Sequence, residues 1–145
     1  MSRFLLDVNV LIALIDPAHV HHDRAHNWFN QIGSKAWATC PLTENGVLRI
    51  LGNPKYPNSP STPAMVAPIV MGLRALDGHA FWPDSISLVG SEHVQPDGLL
   101  SPGQVTDTYL LALAKANHGK LASFDQRLVT QAVYQGQDFI HRIGL

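Results

Sequence analysis

Residues 104–125, QVTDTYLLALAKANHGKLASFD, decide the fold because they predict a helix, a glycine that ends it and a strand that finishes on a carboxylate. At the helix start, Ser101 and Gln104 have the spacing of a capping box, and Pro102 fits the first helical position. Gly119 ends the helix, and Lys120–Phe124 follows as a short apolar strand, an order typical of a crossover unit in a parallel sheet. Asp125 is therefore expected at the carboxyl edge of the sheet, where open α/β folds bind ligands.

Two further acids lie on apolar stripes of predicted helices. Asp107 is followed at i+3, i+4 and i+7 by Leu110, Leu111 and Ala114. Glu44 is followed at the same offsets by three apolar residues: Val47, Leu48 and Leu51. Residues at these offsets share one helix face. A carboxylate on such a face is costly unless a partner or a cation compensates it, so the two acids are expected to face a common site.

The rest of the chain alternates strands and helices. Arg3–Leu6 predicts a first strand that ends at Asp7, with Asn9 placed to cap the next helix. Further helices are expected over 19–32, from Pro41, and from Pro63 with a bend at Pro68; strands over 36–39 and 79–82; a short helix near 85–88; and an edge strand within 138–143. Residues 1–145 thus predict a single domain, a three-layer α/β/α fold with a central, mainly parallel sheet of four or five strands.

Composition limits the possible classes. The 145 residues carry ten Lys and Arg against eleven Asp and Glu, a net charge of −1, so overall charge does not indicate a nucleic-acid binder. The single cysteine, Cys40, excludes an internal disulfide and a cysteine-based zinc site. The apolar start is too short to span a bilayer and has no signal-peptide pattern. A cytoplasmic protein without a membrane partner is expected.

Four carboxylates are thus expected where strand ends and helix starts meet: Asp7, Glu44, Asp107 and Asp125. Hard oxygen ligands in that number suit Mg²⁺ or Mn²⁺. Without a cation the carboxylates would repel one another, whereas a divalent ion cancels their charge and activates water toward a phosphate. The alternative for each acid taken alone is a cap or an ion-pair partner.

Four segments carry a family resemblance: FLLDVNVLIAL (4–14), PLTENGVLRIL (41–51), QVTDTYLLALA (104–114) and GKLASFD (119–125). In this order and spacing they resemble the motifs of PIN-domain ribonucleases, and most closely those of the VapC-like toxins of type II toxin–antitoxin systems. The resemblance implies a metal site formed by Asp7, Glu44, Asp107 and Asp125. It also implies supporting roles for Asn9, Thr106 and Ser123, and Ser123 shares a strand face with Asp125.

The same resemblance implies activity and partners. It predicts an Mg²⁺- or Mn²⁺-dependent endoribonuclease that hydrolyses RNA phosphodiesters, forms a homodimer and is inhibited by a cognate antitoxin. Four residues are candidate RNA contacts or ordinary surface: Arg49, Lys55, Tyr56 and Arg127. Of the histidines 19, 21, 22 and 26, residue 19 shares a helix face with 22, and 22 shares one with 26. No nearby acid or cysteine completes a metal site, and a solvated helix end is the preferred interpretation.

Two other functions fit parts of the sequence. DVNVL (7–11) is similar to the nucleophile loop of haloacid-dehalogenase-type phosphatases, but Asn9 stands where that family needs a second aspartate. A catalytically idle PIN-like module that binds RNA or protein is the other alternative. Retention of all four acids opposes it, because an idle fold gains nothing from buried like charges.

Overall fold

The computed structural model describes residues 2–144, which form five strands and five α-helices. The strands are β1 (Phe4–Leu6), β2 (Trp37–Thr39), β3 (His79–Phe81), β4 (Lys120–Ser123) and β5 (Ile140–Arg142). The helices are α1 (Val8–Ile15), α2 (His22–Gln31), α3 (Pro41–Leu51), α4 (Pro63–Arg74) and α5 (Val105–Ala116).

The five strands form one parallel sheet in the order β3-β2-β1-β4-β5. The chain builds the sheet from β1 outward to β3, then crosses to the other side of β1 to add β4 and β5. The strand order therefore reverses between β1 and β4, and open α/β sheets bind ligands at the carboxyl ends of the strands beside such a reversal. Asp7 directly follows β1, and Asp125 lies two residues after β4.

Two apolar cores lie on opposite faces of the sheet, as side-chain alternation along the strands requires. In β1, Leu6 joins the core made by α1, α2, α3 and α4, whereas Leu5 joins the core made mainly by α5. In β4, Ala122 and Leu121 divide in the same way. The three-layer α/β/α fold with a parallel five-stranded sheet is confirmed.

Some local predictions were wrong. Residues 85–88 form no helix, and the helical segments described between β3 and α5 are short 3₁₀ turns at Pro96–Gly98 and Pro102–Gln104. Asn9 does not cap α1; Asp7 does, by accepting a hydrogen bond from the Val8 N–H at 2.7 Å. The capping box of Ser101 and Gln104 is present, but it starts the 3₁₀ turn that leads into α5.

Among the helices in residues 2–144, none is long and apolar enough to cross a membrane.

Gly78 makes the turn from α4 into β3. Its φ is +88°, in the left-handed region, and a Cβ there would lie 2.3 Å from the Ser34 carbonyl oxygen. Gly72, inside α4, has a helical backbone, and a Cβ added to it would meet no atom within 4 Å. An added methyl group would therefore collide with the backbone at Gly78 but meet open space at Gly72.

We expect Gly78→Ala and Gly72→Ala to change the free energy of unfolding in opposite directions. Gly78→Ala should lower it by about 1–3 kcal/mol, because alanine is strained at that φ and its methyl group collides with backbone. Gly72→Ala should raise it by about 0.5–1 kcal/mol, because alanine loses less backbone entropy in a helix. Urea unfolding of both variants measures this. Equal effects of the two substitutions would contradict the strain assigned to Gly78.

Candidate active site

Asp7 is the buried acid of the site, with 8% of its surface exposed. One carboxylate oxygen caps α1, and the other accepts a hydrogen bond from the Ser123 hydroxyl at 2.9 Å. Burial raises the pKa of Asp7, the two hydrogen bonds from Ser123 and Val8 lower it, and the charge of Asp125 raises it; the net shift is upward. The carboxylate is thus held in one orientation at the end of β1.

Ser123 joins the ends of β1 and β4. Its buried hydroxyl donates to Asp7 and accepts from the backbone N–H of Asp125 at 3.1 Å. Asp125 itself is exposed, and its carboxylate accepts from the backbone N–H of Arg127 at 2.9 Å. The sequence placed Ser123 on a face with Asp125; the structure shows in addition that its hydroxyl orients Asp7.

Asp107 lies in the first turn of α5 and is half-buried, while Leu110, Leu111 and Ala114 behind it are fully buried. The apolar stripe predicted from the sequence is therefore present. Burial, followed by the charges of Asp7 and Asp125, raises the pKa of Asp107 from its ordinary value of 3.8 to about 6. Asp7, Asp107 and Asp125 are thus close enough to repel one another.

The charge of these three aspartates has no cationic counterpart in the described chain. The ion pairs found in residues 2–144 join Arg74 to Glu44 and His93 to Glu92, and neither includes the three aspartates. Within the same residues, no three acidic, histidine or cysteine side chains stand at distances that would already hold a metal ion. The donor set is nevertheless the one that Mg²⁺ and Mn²⁺ prefer, and its uncompensated charge fits a divalent cation.

The carboxylate of Glu44 contacts residues other than the three aspartates. Its carboxylate accepts a hydrogen bond from the Thr39 hydroxyl at 2.6 Å and lies 3.4 Å from the Arg74 guanidinium. His79 Nε2 lies 2.8 Å from the same Thr39 hydroxyl. Because that hydroxyl gives its proton to Glu44, His79 must be the donor to Thr39. These contacts link Glu44 to β2, β3 and α4, on the side of β1 opposite to β4.

The polar residues implied by the resemblance have different surroundings. Asn9 and Thr106 are both exposed, in the first turns of α1 and α5, next to the acids along the chain. Each is open to a ligand that approaches the three aspartates. Neither position tests the supporting role that the resemblance implies.

The four candidate RNA contacts divide into two places. Arg127 is exposed beside Asp125. Arg49, Lys55 and Tyr56 line a separate pocket of about 320 Å³. The Tyr56 hydroxyl is hydrogen-bonded to Asp16, the residue that ends α1, whereas Asp7 begins that helix. The pocket is thus about one helix length, roughly 12 Å, away from Asp7.

Asp16 was not singled out from the sequence. It is buried and accepts hydrogen bonds from the side chains of Tyr56 and Asn58 and from the Ala18 N–H. These bonds fasten the proline-rich segment 52–62 to the end of α1. The sequence feature that could have identified Asp16 is an acid directly after an apolar helix. Its partners Tyr56 and Asn58 could not be identified in this way, because they lie 40 and 42 residues away.

Most of the clustered histidines form hydrogen bonds where α1 meets α2. Ring nitrogens of His22 and His26 contact the last-turn carbonyl oxygens of Ala13 and Leu14 at 2.7 and 2.8 Å. The His19 ring accepts from the backbone N–H of residue 21. The cluster lies at a helix end, as expected, but its rings are half-buried rather than solvated, because two of them satisfy carbonyls that α1 leaves unpaired.

We expect Asp107→Asn to stabilise the metal-free protein at neutral pH. Because the folded-state pKa of Asp107 is raised, its contribution to stability is fully present below pH 3.8 and is lost as the pH rises to about 6. The difference in unfolding free energy between variant and wild type should therefore grow over that range. Urea unfolding in chelator at about pH 4 and about pH 7 measures it. A difference independent of pH would contradict the raised pKa.

Known proteins resemble this chain along most of its length. The family model described as PIN domain matches residues 4–133. Ribonuclease VapC44 of Mycobacterium tuberculosis (strain H37Rv) is 42% identical over 131 residues, 90% of this chain and 92% of the relative. Ribonuclease VapC39 of the same strain is 43% identical over 128 residues, 88% of this chain and 92% of the relative.

Solved structures support the fold alone, since their sequence identities are low. The structure of FitAB bound to an IR36 DNA fragment contains a chain with a TM-score of 0.64 and 14% identity; the match covers 96% of this chain and 94% of that one. FitAcB from Neisseria gonorrhoeae gives a TM-score of 0.61 and 15% identity, with 96% of each chain covered.

The phosphatase alternative for residues 7–11 is wrong, because the family match includes this segment and the fold around it. The family model spans most of the chain, and relatives named VapC share about two fifths of its residues over nearly all of its length. The chain belongs to the PIN domain family, with VapC ribonucleases as its relatives.

Proposed function

We propose that the chain is a metal-dependent endoribonuclease that acts as the toxin of a toxin–antitoxin pair. The observation that carries the proposal is the group of three mutually repelling aspartates, Asp7, Asp107 and Asp125, at the strand-order reversal. The ribonuclease relatives support RNA as the substrate. The acids and the exposed edge of the sheet support hydrolysis of a phosphodiester.

The three aspartates would hold Mg²⁺ or Mn²⁺. When bound, such an ion supplies positive charge against a phosphate and makes an attacking water more acidic. The chain's own residues set the geometry. Ser123 and the Val8 N–H fix both oxygens of Asp7, and the Arg127 N–H fixes one oxygen of Asp125. Leu110 and Leu111, fully buried one turn further along, anchor the helix that carries Asp107.

Glu44 takes part differently in this proposal. The resemblance includes it in the metal site, but within residues 2–144 its carboxylate, unlike those of the three aspartates, is paired with a cation, the Arg74 guanidinium, and also accepts a hydrogen bond from Thr39. We assign it an anchoring role, in which it holds α3 and α4 against the ends of β2 and β3. That role keeps the wall of the site in place without a ligand bond to the ion.

An antitoxin is the protein partner that we assign to the chain. Three large apolar side chains of α4 are exposed: Met65 by 57%, Ile69 by 42% and Met71 by 69%. Met65 and Ile69 are one helical turn apart and share a face of α4, and neighbouring exposed apolar side chains are typical of protein-interaction surfaces. The homodimer implied by the resemblance stays a prediction.

The activity is tested by incubating the purified protein, free of any co-purified partner, with total RNA in Mg²⁺ or Mn²⁺, and mapping the cut ends. We expect cuts with 5′-phosphate ends that chelator abolishes. Asp7→Asn should reduce cleavage by more than about 100-fold, because even groups that only support metal ligands cost 10–100-fold when lost.

The matched control is Asp97→Asn, which removes an exposed acid of the Pro96–Gly98 turn outside the site and should cleave normally. Equal activity of the wild type and Asp7→Asn would identify a contaminating ribonuclease. Absence of cleavage by folded, partner-free protein would favour the catalytically idle binding module.

The roles of Asp107 and Glu44 are separated by Mn²⁺ binding, followed by the electron paramagnetic resonance signal of free Mn²⁺. Asp107→Asn should weaken binding by about tenfold or more, because it removes one of the few charged ligands. Glu44→Gln should change it by less than about threefold and instead lower the unfolding free energy by about 1–2 kcal/mol, since it weakens the contact with Arg74. A tenfold loss of Mn²⁺ affinity in Glu44→Gln would place Glu44 among the ligands.

A further inference from the structure

A side-chain stack connects α2 to the end of β4. The imidazole of His21 lies on the ring of Phe124, with centroids 4.8 Å apart and planes 26° from parallel. Phe124 is buried and directly precedes Asp125, an acid of the site. The Cα atoms of these two neighbours are about 3.8 Å apart. Its other end is Arg24, whose Nη1 lies 2.7 Å from His21 Nδ1.

The contact with Arg24 fixes the state of His21. A guanidinium can only donate hydrogen bonds, so Nδ1 of His21 must accept and the ring is neutral, with its proton on Nε2. Burial first, then the charges of Arg24 and His19, lower the pKa of His21. The neutral ring orients Arg24 without cancelling its charge.

Arg24 therefore keeps a full positive charge in a fixed position. No carboxylate lies within 4 Å of its guanidinium among the described ion pairs, although Asp23 is its neighbour in the chain. One of its five N–H donors is used by His21, and the side chain is partly exposed. An oriented guanidinium with unused donors suits a phosphate, which it can bind through two parallel hydrogen bonds.

We propose that Arg24, positioned by the stack of His21 on Phe124, binds a backbone phosphate of the RNA strand on the β4 side of the acids. The proposal rests on the proposed ribonuclease function, because it is the RNA that brings the phosphate. Arg127, exposed beside Asp125, lies at the same strand end. The substrate strand thus meets positive charge next to the three aspartates rather than among them.

Binding can be measured without cleavage in an Asp107→Asn background with chelator present, using fluorescein-labelled oligouridylate and fluorescence anisotropy over a range of salt concentrations. Each phosphate contact on a single strand contributes about 0.7 to the slope of log affinity against log salt. Arg24→Gln should therefore reduce the magnitude of that slope by about 0.7. Arg24→Lys should retain the slope, since it retains the charge.

Two further variants make the test specific. Lys35→Gln removes an exposed positive charge from the turn before β2, at the opposite edge of the sheet, and should leave the slope unchanged. His21→Leu keeps an apolar contact for Phe124 but removes the acceptor that holds Arg24. It should lower the affinity when Arg24 is present but not when Arg24→Gln is combined with it, whereas a purely structural role of His21 would lower the affinity in both.

An unchanged slope in Arg24→Gln would overturn the proposal, and so would equal losses in Arg24→Gln and Lys35→Gln. Absence of oligouridylate binding at low salt would overturn it as well. Failure of the ribonuclease function would appear elsewhere, as absent RNA cleavage by the wild type. A slope change in Arg24→Gln without such cleavage would support the RNA contact on a catalytically idle module.

Discussion

The electrostatic repulsion among Asp7, Asp107 and Asp125 is the constraint on which the site depends. Their negative charges converge at one sheet edge, and burial and mutual repulsion together favour protonation of Asp7 and Asp107. The surrounding fold supports the arrangement through the capping bond of Val8 and the Ser123 hydroxyl. An arrangement that lowers stability by itself is typical of a site whose ligand supplies the missing charge.

The convergence follows from topology, and much of it is predictable from sequence. Strand ends can be recognised by an apolar run that stops at an acid, as at Asp7 and Asp125, and an acid on an apolar helix stripe identifies Asp107. These local signals need only one long-range fact, that β1 and β4 are neighbours, to bring the acids together. The family resemblance implies a common metal site for the acids without giving the order of the strands.

Side-chain contacts between segments that are far apart in the chain could not be predicted from the sequence. Glu44 has the same stripe as Asp107, but its orientation is decided by Arg74, which lies 30 residues away on a different helix. Tyr56, a candidate RNA contact, is hydrogen-bonded through its hydroxyl to Asp16, which lies 40 residues away in the chain. The segment between β3 and α5 is irregular and has no hydrophobic period on which a prediction could rest. The helix predicted over 85–88 does not form.

The distribution of charge explains how a chain with a net charge of −1 can act on RNA. An arginine among the three aspartates would neutralise them and compete with a divalent ion for the same oxygens. In the proposed mode of RNA binding, cationic side chains outside the group, those of Arg24 and Arg127, attract the RNA backbone and leave the acids free for the ion. Net charge therefore says little about such a site, because local separation of acids and bases decides what it binds.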